Sequence, residues 1–130
     1  MKMEVNLEKG YLFKAICRGH EVLADQPEKD GGSDKAVTPT ELFIASIGIC
    51  IGYYVVRFCN RHKLPTDGMK VFLDWTVVKD PWRVGTITVE IHYPHEIPEA
   101  EKKGLLRMGH ACFVTETIMN KPEITVELKS

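Results

Sequence analysis

Cys50 and Cys112 have the clearest chemical capacity in this chain. Each falls in a predicted helix among apolar neighbours, and their separation is far too long for a zinc knuckle, so the pair reads as a redox dithiol. The thiolate is the nucleophilic form of cysteine, so the side chains facing Cys50 matter. At 100° per residue, Ser46, Tyr53, Tyr54 and Arg57 lie within about 60° of the direction of Cys50, whereas Glu41 and Cys59 point the opposite way. A guanidinium at Arg57 would favour the thiolate, although two helical turns, about 10 Å, put it at the limit of reach. Cys17 alternates within a strand pattern and Cys59 faces away from Cys50, so both read as packing residues. His110 precedes Cys112 by two residues, about 200° around a continuous helix, and would meet that sulfur only from a second subunit. His62 suits a helix end as a surface residue. His20, His92 and His95 have no ligand-like spacing with the cysteines, so no metal site is expected.

The elements that must hold these residues follow from periodicity and punctuation. Met3–Leu7, Leu12–Cys17 and Glu21–Ala24 read as three short strands joined by turns at Lys9-Gly10 and Arg18-Gly19. Gln26–Val37, with Pro27 and Gly31-Gly32, reads as an exposed connection. Thr38, Pro39 and Glu41 form a helix start in which Thr38 caps, Pro39 takes the first helical position and Glu41 completes a capping box. The helix they open runs to His62, about 24 residues and roughly 36 Å. Between Leu42 and Phe58 it is apolar nearly all round, as in a helix buried centrally or against a second subunit. Lys70–Val77 and Thr86–Tyr93 alternate on either side of the turn Lys79-Asp80-Pro81-Trp82, an antiparallel hairpin. Pro98 opens a second helix that carries Cys112 and stops at Asn120-Lys121-Pro122; Ile124–Leu128 reads as a last strand. The expected class is α+β: one domain over residues 1–130, an antiparallel sheet of about six strands wrapped on two helices.

Composition narrows the partners. The chain has 130 residues, 44% of them hydrophobic, with 17 basic and 18 acidic side chains. No basic block exists that would track phosphates, so nucleic acid is not an expected partner. Charges interrupt the first thirty residues every few positions, and the apolar stretch of the first helix is short and carries Ser46, Gly48 and Gly52, so no membrane span is expected. A cytoplasmic location follows as an expectation, and there free, catalytic or redox-sensing cysteines are favoured over a disulfide framework.

The segment Thr38 to Cys50, with Pro39, Glu41, Leu42, Ala45 and Cys50 in place, resembles the first-cysteine signature of the OsmC/Ohr family, proteins of osmotic induction and organic-hydroperoxide resistance. His110 to Ile118 resembles the second, C-P-V-x-x-x-L, and Asp25-Gln26-Pro27 with Gly31-Gly32 resembles the punctuation of the general OsmC-like branch. That resemblance implies a thiol peroxidase without cofactor or metal. Cys50 would reduce an organic or lipid hydroperoxide and become a sulfenic acid, Cys112 would resolve it as a disulfide, and an external dithiol would restore both thiols. It also implies an intertwined homodimer with sites at the subunit interface. The chain departs from the hydroperoxide-resistance branch in two places. Tyr11 and Thr40 stand where that branch has an arginine and a glutamate that hold the thiolate, leaving Arg18, Arg57 and Glu41 as the supporting residues on offer; Phe113 replaces the proline after the second cysteine. A redox-sensing or small-molecule-binding protein without efficient turnover is the alternative reading.

Overall fold

The computed structural model describes residues 1–130, which form two compact units, Met1–Ala45 and Ser46–Ser130. In the first, β1 (Glu4–Lys9), β2 (Leu12–Cys17) and β3 (His20–Ala24) make an antiparallel meander in the order β1-β2-β3. Cys17 pairs with His20 across Arg18 and Gly19, both at positive φ (52° and 81°), the backbone that a two-residue hairpin turn requires. Register puts Val5, Ala15 and Val22 in one row and Leu7, Phe13 and Ala24 in the next, so one face of this sheet is apolar. Val5, Leu7, Phe13 and Val22 are nevertheless exposed. Lys14 emerges on the other face between Glu8 (3.1 Å) and Glu21 (3.8 Å).

The connection after β3 is ordered rather than merely polar. Asp25, only 1% exposed, accepts from the backbone N–H of Gln26 at 2.7 Å and of Lys35 at 3.0 Å, and its own N–H donates to Val37 O at 2.9 Å. These bonds close the loop on one carboxylate. Inside it a 3-10 turn at Glu28–Asp30 ends on Gly31 at φ 90°, and a side chain at Gly32 would collide with the Gln26 carbonyl.

Helix α1 (Pro39–Arg61) begins where the sequence places it. Thr38 N–H donates to Glu41 Oε1 at 2.8 Å, and Glu41 N–H donates to Thr38 Oγ1 at 3.1 Å, a complete capping box. It ends in a Schellman arrangement: Lys63 takes φ 56°, its N–H donates to Asn60 O, and Leu64 N–H reaches back to Cys59 O at 2.8 Å. By length and composition α1 could cross a membrane. Its apolar side chains instead form the stripe Ile47, Ile51, Val55, Phe58 and Cys59, which with Leu105 and Cys112 makes the core of the second unit. Ile49 and Tyr53, on another face, are exposed, so the helix is a stripe in this chain rather than buried all round.

Strands β4 (Lys70–Val78) and β5 (Arg83–His92) form the expected hairpin around Lys79–Trp82. Val71 pairs with Ile91, Leu73 with Val89 and Trp75 with Ile87, giving one face apolar cross-strand rows. Gly48 lets α1 lie on this face, since a Cβ there would come within 2.6 Å of Leu73 Cδ1. Gly104 lets the next helix lie close to α1, where a Cβ would approach the Phe58 ring at 2.8 Å.

Two expectations change. The second helix is two, α2 (Glu99–His110) and α3 (Phe113–Met119), broken at Ala111-Cys112 without a proline. Cys112 takes an extended backbone (φ −70°, ψ 147°), and its sulfur accepts the Thr115 N–H of the next turn, so the new helix start at the break is capped. The second change is the strand count. Five strands form, as a three-stranded and a two-stranded sheet, and Ile124–Leu128 is not a strand. A strand needs a neighbour's backbone, and this stretch has none: Ile124, Val126 and Leu128 are 81%, 93% and 92% exposed.

Candidate active site

Cys112 stands at the N-cap of α3, fully buried. Its Sγ accepts from Thr115 N–H at 3.3 Å and lies 2.8 Å from Thr115 Oγ1. Cys50, half-buried in the middle of α1, packs against the cluster to which Cys112 belongs, and both are free thiols. The structure thus brings the two cysteines of the sequence reading onto one apolar core from two different elements.

A cavity of about 360 Å³ opens against the same cluster. Ile47 and Ile51 of α1, Ile87, Val89 and Ile91 of β5, and Leu106 of α2 supply most of its wall; His110 and Thr115 are its polar lining. An apolar hollow with one or two polar groups suits the hydrocarbon part of a small molecule. The cavity and Thr115 were beyond the sequence reading, because strand, helix and loop must meet before a hollow exists. A local signal was present all the same: Cys112 and Thr115 have the spacing of an N-cap and the residue whose N–H it accepts.

The supporting residues are distributed differently. The Arg57 guanidinium lies over the rings of Tyr53 and Tyr54, 5.7 and 5.9 Å from their centroids, and makes no hydrogen bond to Cys50. Glu41 is engaged in the capping box, where the Thr38 N–H and then its hydroxyl hold the carboxyl below its usual range. Arg18 occupies the exposed β2–β3 turn. His110 ends α2 and Cys112 begins α3, so the angular argument that set them on opposite sides of one helix does not apply; His110 faces the cavity. Of the remaining thiols, burial pushes Cys59 up, away from thiolate character, and Cys17 Sγ lies 3.7 Å from Lys2 O. Tyr93, whose hydroxyl donates to Pro65 O at 2.7 Å, is also pushed up, first by burial and then by Cys59 and Asp67.

The family model for OsmC-like proteins matches residues 32–127. This chain belongs to the OsmC-like family. No curated protein matches it significantly. Among solved structures, one from Psychrobacter arcticus described as a "putative osmotic stress induced and detoxification response protein" superposes with a TM-score of 0.83 at 19% identity, covering 90% of this chain and 87% of that one. The organic hydroperoxide resistance protein OsmC of Legionella pneumophila gives 0.67 at 16% identity over 90% and 87%. The organic hydroperoxide resistance protein OhrB of Bacillus subtilis gives 0.65 at 15% identity over 98% and 96%. At these identities the likeness carries the α+β fold with its antiparallel sheets and three helices.

Proposed function

We infer that this OsmC-like protein is a cysteine-based thiol peroxidase that removes organic hydroperoxides in oxidative-stress defence. One observation carries the reading: the cysteines of both signature segments meet at a single apolar cluster, whose Ile47 and Ile51 also line an apolar cavity. The Cys50 thiolate attacks the terminal oxygen of the hydroperoxide, the O–O bond breaks, and the alkoxide takes a proton to leave as an alcohol. Cys50 becomes a sulfenic acid. Cys112 sulfur attacks that sulfur, the S–S bond forms, and the hydroxyl leaves with the thiol proton as water. An external dithiol then reduces the disulfide by exchange. The sequence uses no cofactor or metal. The names of the Legionella and Bacillus neighbours support an organic hydroperoxide as the substrate, and an apolar cavity favours an alkyl or lipid one.

The working unit in this reading is a cytoplasmic homodimer. Supporting it are apolar groups the single chain leaves uncovered: Val5, Leu7, Phe13 and Val22 on the first sheet, Ile49 and Tyr53 on α1, and alternate residues of Ile124–Leu128. Apolar side chains left exposed on a sheet or helix face suit burial against a second copy.

A second reading, a redox-sensing or small-molecule-binding protein with little turnover, is favoured by the engagement of Arg57 with two tyrosines and of Glu41 in the helix cap. Consumption of cumene hydroperoxide in the presence of a dithiol separates them. Multiple turnovers lost in Cys50→Ser support the peroxidase, and stoichiometric oxidation that stops after one equivalent supports the sensor.

A further inference from the structure

Thr115 touches the Cys112 sulfur twice, through its amide N–H at 3.3 Å and its hydroxyl at 2.8 Å. The first contact is what starting α3 requires: an orphan N–H of the first turn finds an acceptor in the capping residue. The second is surplus to helix formation. No other hydrogen bond reaches this buried sulfur, and Thr115 is also one of the residues that line the apolar cavity. A threonine hydroxyl both donates and accepts, so it can take the hydrogen bond of the thiol and, once that proton is gone, turn its own O–H toward the sulfur.

Resting on the peroxidase reading, we propose that Thr115 is the positioning residue of the resolving thiol. Its hydroxyl fixes the orientation of Cys112 Sγ for attack on the Cys50 sulfenic acid and stays hydrogen-bonded to the sulfur through that attack. The bond changes are those of resolution itself: the S–S bond forms, the S–O bond of the sulfenic acid breaks, and the hydroxyl departs with the Cys112 proton as water. Thr115 is not consumed.

The test is single-turnover oxidation of the reduced protein by one equivalent of cumene hydroperoxide, quenched at intervals with dimedone. Intact mass then counts Cys50 sulfenate adduct and Cys50–Cys112 disulfide. Wild type should pass to disulfide with little adduct. Thr115→Val, nearly identical in shape, should close the disulfide from the Cys50 sulfenate about tenfold more slowly, the loss of one hydrogen bond, read as slower decay of the dimedone-trapped adduct once the peroxide is spent. Thr115→Ser, which keeps the hydroxyl, should close it at nearly the wild-type rate. A valine variant that closes the disulfide as fast as wild type overturns the role of Thr115 and leaves the peroxidase reading standing. So does a serine variant as slow as valine, which would make the methyl group the determinant. Wild type that forms neither sulfenate nor disulfide removes the peroxidase reading and this inference together.

Discussion

Asp25 is a buried carboxylate whose charge is matched by backbone donors. The Lys35 and then the Gln26 N–H groups hold its carboxyl below the usual range, whose reference is 3.8. The folded state therefore binds its proton less readily than the unfolded chain. The sign follows: Asp25 contributes stability fully above the unfolded value, and the contribution is lost as pH falls below about 3.8 toward the lower folded value. Asp25→Asn replaces one acceptor with an NH2 group and should lower the urea midpoint at pH 7. The gap between variant and wild type should narrow on going to pH 3; a gap that does not change with pH would contradict the assignment. The sequence offered Asp25 only as punctuation near Pro27, because the donors that bind it come from both ends of a loop.

At the scale of elements, the Gly31-Gly32 pair divides two tasks. Gly31 supplies the left-handed turn, and Gly32 has no room for a side chain because the Gln26 carbonyl occupies its place. Gly32→Ala should cost about 1–3 kcal/mol, as overpacking against rigid neighbours does, measured as a lower urea midpoint at unchanged slope. An alanine variant as stable as wild type would show that the loop yields. The start of α1 was legible because its signals are local: Thr38, Pro39 and Glu41 act within one turn. The β4–β5 hairpin was legible for the same reason, alternation on both sides of a turn. The break between α2 and α3 was not, since phenylalanine at 113 carries no stop signal and the cap that makes the break tolerable is a cysteine sulfur. The expected strand at Ile124–Leu128 has the right alternation but no backbone beside it, and pairing is a property of two segments.

For the whole molecule, the apolar rows of the β1-β2-β3 sheet bear on assembly. Under the proposed homodimer they are interface, so light scattering at micromolar concentration should return twice the mass of one chain. Leu7→Asp, which puts a charge in the middle of that face beside Phe13, should shift the protein toward single chains. A wild-type mass of one chain at high micromolar concentration would contradict the dimer. The central claim is chemical and rests on the two thiols of the second unit: Cys50 reacts with an organic hydroperoxide, and Cys112 closes a disulfide with it. Its most direct test is steady-state consumption of cumene hydroperoxide with excess dithiol by wild type and Cys50→Ser, with the disulfide mapped by mass spectrometry. The account predicts multiple turnovers by wild type, a Cys50–Cys112 disulfide in the oxidised protein, and a loss of about a thousandfold or more in Cys50→Ser. Equal consumption by the two proteins, or oxidised wild type with Cys50 and Cys112 both still reduced, would contradict it.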